Sequence, residues 1–244
     1  MRVAALSGGV GGAKLALGLS KLLPPADLTI VANVGDDFEH LGLYVAPDLD
    51  TLMYTLAGLS NPETGWGQAG ESWNFLAALG ELGGETWFRL GDRDLATHVE
   101  RTRRLRSGET LSRATAALCA GLSVAVRILP ASDQPLRTVV QTAQGPLAFQ
   151  HYFVRERCAP AVTGFVFEGA AAARPAPGVL AALSDPALGA VVICPSNPFI
   201  SIDPILAVPG LAAALRGAPA PVIAVSPIVG GDALKGPTAK MMRE

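Results

Sequence analysis

The sequence predicts an α/β fold, a parallel sheet with helices on both faces, and features near its start carry that prediction. A short apolar run, residues 2–6, stops at Ser7-Gly8-Gly9-Val10-Gly11-Gly12. Leu15, Leu19, Leu22 and Leu23 then recur at helical spacing until Pro24-Pro25 ends the helix. A second run, residues 28–34, is rich in β-branched side chains and reads as a buried strand. Strand, glycine loop, helix and strand, in that order, open a parallel sheet with a right-handed crossover.

Further strands are expected at 124–129, 139–142, 147–154, 162–167, 189–194 and 222–225, from their apolar, β-branched character. The two runs around Gln144-Gly145-Pro146 read as an antiparallel hairpin set into the α/β pattern. Helices are expected at 50–57, 74–82, 94–105, 111–120 and 177–183. The Ala- and Pro-rich stretch 170–178 reads as a surface loop. The expected organisation is one domain over residues 1–244, with an inserted helical and hairpin region at about 60–160.

Half of the residues are apolar and 16% are charged, enough to bury a sizeable core and incompatible with a disordered chain. Nineteen Lys and Arg against 21 Asp and Glu leave a net charge of −2, so no nucleic-acid partner is expected. Cys119, Cys158 and Cys194 lie far apart, which argues against a disulfide framework or zinc ribbon and for a reducing cytoplasm. The longest uncharged stretch, between Asp185 and Asp203, is broken by Pro186, Pro195, Ser196, Asn197 and Pro198, so no membrane span is expected. The opening apolar run meets glycine too soon for a signal peptide.

The small net charge hides a segregation of signs. No Lys or Arg occurs between Leu22 and Phe88, a stretch holding ten acids, and seven arginines follow between Arg89 and Arg113. A solvated surface usually mixes its charges. Either the composition produced this by chance, or an acidic metal-binding pocket stands beside a basic anion-binding helix.

The glycine loop suits a phosphate, because backbone N–H groups between a strand and a helix point outward at the helix start. Gly8, Gly9, Gly11 and Gly12 are therefore candidate substrate-binding residues. Ala13-Lys14-Leu15 lacks the Gly-Lys-Ser/Thr ending of a P-loop, which disfavours a P-loop kinase or NTPase, and Lys14 stands where a dinucleotide fingerprint needs glycine. The other reading is a tight turn with no ligand.

After the second strand, Asp36, Asp37, Glu39, Asp48 and Asp50 place five carboxylates within fifteen positions. They repel one another unless a cation sits among them, and magnesium, a hard cation that shares carboxylates with phosphate oxygens, fits best. Asp36, Asp37 and Asp48 are the candidate ligands, Asp36 first because it closely follows the strand. Helix capping alone would explain one of Asp48 and Asp50, but not the whole cluster. His40 reads as a polar loop residue.

Arg93 precedes a predicted helix start, where a guanidinium and free N–H groups suit an anion. Downstream, His98 and Arg101 share a helix face, and Arg103, Arg104 and Arg106 read as solvated, with Glu100 and Glu109 to pair with. Ser196, Asn197 and Ser226 follow predicted strands and offer polar groups to a shared cleft, or form plain turns.

The motifs SGGVGGAK, NVGDDFEHLGLYVAPDLDTLMYTLAG, GWG with ESWNF, LGDRDLATHVERT, LPASD, CPSNPFISIDPIL and SPIVGGDALKGP run through nearly the whole chain. Together, and in this order, they resemble the 2-phospho-L-lactate transferase family of coenzyme F420 biosynthesis. The resemblance implies a Rossmann-like core with a smaller inserted region. It implies a donor in which lactate 2-phosphate or enolpyruvyl phosphate is joined to GMP, and the deazaflavin Fo as acceptor. The ribityl hydroxyl of Fo attacks the phosphate and GMP leaves, with magnesium required. By resemblance Asp50 and Arg93 bind the acceptor, and Asp36 is a catalytic metal ligand. A second, catalytic role open to Asp50 is to take the proton of the attacking hydroxyl; it ranks below positioning, because a loose phosphoryl transition state demands little from a base. Family members usually continue past Glu244, so a C-terminal tail is expected to be absent from this sequence. A homodimer is the default expectation for an oligomer.

The competing class is a non-enzymatic, sugar-nucleotide-binding regulatory protein of the same superfamily. Its acidic loop is usually rich in serine and glycine after two aspartates, whereas Phe38-Glu39-His40-Leu41 follows here.

Overall fold

The computed structural model describes residues 1–233 and 236–244. Leu234 and Lys235, within the last motif quoted above, lie outside the described residues. The chain opens with β1 (Arg2–Ser7), α1 (Gly9–Leu22) and β2 (Leu28–Ala32), then a hairpin of β3 (Phe38–His40) and β4 (Leu43–Val45). Helices α2 (Pro47–Leu56), α3 (Asn74–Glu81), α4 (Asp92–Arg106) and α5 (Leu111–Gly121) lead to β5 (Arg127–Pro130). Strands β6 (Arg137–Thr142), β7 (Gly145–Ala148) and β8 (Val162–Glu168) follow, then α6 (Val179–Leu183) and β9 (Leu188–Ile193). The last part holds α7 (Asp203–Ala207), α8 (Leu211–Arg216), β10 (Val222–Ala224), a short β11 (Ile228–Val229) and β12 (Asp232–Ala233), and α9 (Thr238–Met241).

The expected α/β fold is present. Five parallel strands form the central sheet in the order β10-β9-β1-β2-β5. Ala5 of β1 is in register with Ile30 on one side and Val192 on the other. Helices cover both faces of such a sheet, so its middle strands read as apolar runs rather than alternations. From Val3 to Ser7 every β1 residue is buried.

The chain moves from β1 outward through β2 to β5, then returns to place β9 on the other flank of β1. The direction of winding therefore reverses between β1 and β9, and the loops leaving their carboxyl ends part to form a crevice. The loop after β1 carries Gly8, and the loop after β9 carries Ser196. Helix α1 turns Gly12, Ala13 and Ala16 inward, small residues that let α2 pack close beside it. That packing brings the first turn of α2, with Asp48 and Asp50, to the glycine loop.

Several expectations need correction. The stretch 60–160 is not one continuous insertion, since β5 inside it belongs to the central sheet. The strand expected at 147–154 ends at Ala148, and residues 151–155 make a helical turn. The turn seats Phe149 and Tyr152 together in a second small core with Val140, Val162, Ile200 and Met241, which an extended chain would have split between two faces. The β6–β7 hairpin forms as expected, and β8 joins β6 to make a three-stranded antiparallel sheet. The β3–β4 hairpin was not legible, because Leu41 shares its turn with Gly42 and both have positive φ. A branched side chain there is uncommon and hides the usual turn signal.

Candidate active site

At the crevice, the carboxyl ends of β1, β2 and β9 meet the start of α2. The Gly8 N–H donates to Ser196 Oγ at 3.1 Å, and that hydroxyl donates back to the Gly8 carbonyl at 2.7 Å. The Gly9 N–H donates to Asp48 Oδ1 at 2.6 Å. Side chains are excluded along this loop. A Cβ on Gly8 would lie 2.6 Å from Asp48 Oδ2, and one on Gly12 would collide with the hydroxyls of Ser7 and Ser196. Gly9 also has φ +64°, a conformation open chiefly to glycine.

Asn33, fully buried at the end of β2, organises the acidic loop. Its amide nitrogen reaches Asp36 Oδ1 at 3.0 Å, Asp48 Oδ2 at 2.9 Å and the Ile200 carbonyl at 3.1 Å. Its amide oxygen accepts the Gly35 N–H at 2.8 Å. The Asp36 backbone is fixed in turn by Gln150, whose amide donates to its carbonyl at 3.1 Å. Two carboxylates thus converge on one neutral amide. Burial and mutual repulsion push the carboxyl of Asp36 well above the ordinary range; burial also raises that of Asp48, opposed by the bonds from Asn33 and Gly9. Charges so placed are relieved by a cation. Carboxylate and carbonyl oxygens are the ligand type that magnesium takes.

Asp37 does not fit that set. It turns away from the pair, accepts the Tyr44 hydroxyl at 2.8 Å and faces Arg137. Burial pushes its carboxyl up to about 7 in spite of those partners.

Asp50, two positions after Asp48 in the same first turn of α2, is held differently. Arg101 of α4 grips it with both terminal nitrogens, Nη1 to Oδ2 at 3.1 Å and Nη2 to Oδ1. Arg101 is among the largest fully buried side chains, and Asp50 is 4% exposed. His98 stands 3.6 Å from Asp50 and 3.3 Å from Asp94, which also accepts the Tyr54 hydroxyl at 2.7 Å. Asp50, Asp94 and His98 are close enough together to ligate a metal. The cation already on Asp50 is Arg101, however, so this group is built around a guanidinium.

Arg93 is not brought to Asp50. It lies eight positions before Arg101 on α4, roughly 12 Å along the axis. Its side chain is exposed and donates to the Ala69 carbonyl at 3.3 Å. The N–H groups of Arg93 and Asp94, where an external anion was expected, donate to Glu71 at 2.8 and 2.9 Å. Asp92 returns the arrangement by accepting the N–H groups of Asn74 and Phe75 at the start of α3. The GDRD and ESWNF motifs therefore cap each other's helices. Arg103 and Arg104 pair with Glu100, and Arg104 also with Glu109, as expected, while Arg106 donates to the Gly42 carbonyl.

Two further candidates are engaged locally. Asn197 accepts the Phe199 N–H at 3.0 Å and caps the following turn. Ser226 is exposed beyond the edge strand β10 and accepts the N–H of Ile228 at 3.1 Å. The crevice thus unites Gly8, Gly9, Gly12, Asp36, Asp48 and Ser196. Asn33, Asp94, His98 and Arg101 are the site residues that sequence reasoning assigned no role. A polar Asn ending an apolar strand was the signal for the first.

The model of the family described as 2-phospho-L-lactate transferase CofD matches residues 3–244. A phosphoenolpyruvate transferase of Kitasatospora aureofaciens is 46% identical over 248 residues, 99% of this chain and 77% of that protein. A phosphoenolpyruvate transferase of Mycolicibacterium smegmatis is 42% identical over 252 residues, covering 97% of this chain and 76% of that one. Among solved structures, a UPF0052-family protein of Bacillus halodurans superposes with a TM-score of 0.61 at 19% identity. That match covers 90% of this chain and 66% of the Bacillus chain, just under two thirds, and shows the fold alone.

Proposed function

The chain belongs to the 2-phospho-L-lactate transferase family, and from that premise we propose that it moves a phosphorylated three-carbon acid from GMP to the deazaflavin Fo in coenzyme F420 biosynthesis. The names of its relatives support an enolpyruvyl phosphate donor over the phospholactyl form. In the transfer, a new phosphorus–oxygen bond forms to the ribityl hydroxyl of Fo. The bond to the GMP phosphate breaks and GMP leaves.

The observation that carries this reading is the convergence of Asp36 and Asp48 on Asn33 beneath the glycine loop, at the point where winding reverses. In this proposal Asp36 and Asp48 hold magnesium, and Asp37, turned to Tyr44, is set aside as a ligand. Magnesium bound there supplies positive charge to the diphosphate oxygens. Gly8, Gly9, Gly11 and Gly12 let a phosphate approach the backbone at the start of α1; Ser196 and Asp48 hold the N–H groups of Gly8 and Gly9 and brace the loop, which leaves the next N–H groups of the first turn for the phosphate. Asp50 orients the acceptor hydroxyl. Arg101 fixes that carboxylate in place, and a loose phosphoryl transition state asks little of a base, so positioning is its role. Arg93, exposed at the start of α4, is assigned to the acceptor only through the family resemblance.

No helix among the described residues is long and apolar enough to cross a membrane. The relatives named above are transferases, which speaks against the regulatory reading. The test is incubation of the chain with Fo, the GMP-linked enolpyruvyl donor and magnesium. The expected result is one GMP released per phosphorylated Fo, only when magnesium is present. Donor binding without GMP release would favour the regulatory reading.

A further inference from the structure

The group behind Asp50 contains a histidine that the reaction as described does not use. His98 is 1% exposed and lies between charged neighbours contributed by α2 and α4. Its Nδ1 is 3.3 Å from Arg101 Nη1 and 3.6 Å from Asp50 Oδ2, and its Nε2 is 3.3 Å from Asp94 Oδ1. The Tyr54 hydroxyl donates to that same Asp94 oxygen at 2.7 Å.

Donor and acceptor rules select among the forms of the ring. Arginine has only N–H donors, so an Nδ1 facing Nη1 makes a hydrogen bond only if it carries no proton. A proton on Nδ1 would point at the guanidinium, and the Asp50 oxygen at 3.6 Å is too far to take it. On the other side Nε2 lies 3.3 Å from the Asp94 carboxylate but out of line for a hydrogen bond, so Asp94 favours a proton on Nε2 through its charge alone.

We propose that His98 is a positioning residue, present as the Nε2–H tautomer that faces Asp94, whose bare Nδ1 accepts from Arg101 and orients it, and through it the carboxylate of Asp50. Nη1 then spends one hydrogen on Asp50 and the other on His98, which stops the buried guanidinium from turning about its own axis. Tyr54 secures the far end by occupying Asp94. The relay runs from Tyr54 through Asp94, His98 and Arg101 to Asp50, the residue assigned above to the acceptor hydroxyl. Its consequence for catalysis rests on that assignment, whereas its tautomer does not.

Two measurements on the full chain test it. Ring ¹H–¹⁵N correlation spectra are expected to show His98 protonated at Nε2 and bare at Nδ1. Protonation at Nδ1, or at both nitrogens, would overturn the proposal whatever the enzyme turns over. Asp94→Asn offers the ring an amide N–H and is expected to reverse the tautomer; an unchanged tautomer would overturn Asp94's part in it. In turnover with Fo, His98→Asn keeps an acceptor near the Nδ1 position and is expected to hold kcat within about threefold of the unsubstituted chain. His98→Phe fills the space without an acceptor and is expected to lower kcat by about 10- to 100-fold, the scale of a misplaced reacting group. Equal kcat for the two variants, with both folded by circular dichroism, would reduce His98 to a packing residue. If the unsubstituted chain fails to transfer to Fo, the functional reading falls while the spectra still decide the tautomer.

Discussion

Arg101 closes both terminal nitrogens of its guanidinium on the carboxylate of Asp50, and the pair is shut away from solvent. Removing one member of such a pair leaves the other charged, buried and alone. Arg101→Met is therefore expected to destabilise the fold by about 3–5 kcal/mol, read as a lower urea midpoint. Joint replacement of both residues by apolar ones should recover much of that loss, and a double-mutant cycle measures the coupling.

Asp36→Asn separates folding from function. Asp36 is buried, 8% exposed, and repelled by Asp48, so a neutral isostere should leave stability unchanged or raise it. Loss of a metal ligand should still lower magnesium-dependent turnover by ~100-fold or more. The thermal shift produced by magnesium in the unsubstituted chain should disappear as well. An intact shift would remove Asp36 from the metal site.

Gly12→Ala probes the close approach of the loop. The new Cβ would collide with the Ser7 and Ser196 hydroxyls, at an expected cost of about 1–3 kcal/mol. Gly18 sits on the same helix with open space around it, so Gly18→Ala should be neutral or stabilising. Equal melting temperatures for the two variants would contradict the crowding at Gly12.

Asp37 sets an expected pH dependence of stability. Burial raises its folded pKa to about 7, against the opposing pull of Arg137 and the Tyr44 hydroxyl, from an ordinary value of 3.8. Between those two values the folded chain keeps a proton that the unfolded chain has released. Its contribution to stability therefore falls as pH rises from about 4 to about 7, and levels off above. Asp37→Asn should remove that slope and stabilise the fold by a few kcal/mol at pH 8, with little gain at pH 4. Urea midpoints at the two pH values check it, and an equal gain at both would contradict it.

Much of the central sheet was legible because its strands, buried on both faces, announce themselves as apolar runs at β1, β2 and β9. The clustering of Asp36 and Asp48 was visible in the same way, as charge with no cation near it in sequence. Partnership across the fold was not. Asp37 adjoins Asp36 but turns to the Tyr44 hydroxyl, and nothing in Asp-Asp tells the two apart. Arg93 and Arg101 look alike in sequence, yet only the packing of α4 decides which of them meets Asp50. Glu71 fills the start of α4 from outside that helix, so an anion site read from the helix alone was already taken.

In the proposed reaction Asp36 and Asp48, and not the Asp50–Asp94–His98 group, hold the metal. Crystals soaked with manganese and GMP, measured for anomalous scattering at the manganese edge, test it most directly. One strong peak is expected between the carboxylates of Asp36 and Asp48, facing the glycine loop. A peak among Asp50, Asp94 and His98, with Arg101 displaced, would contradict it.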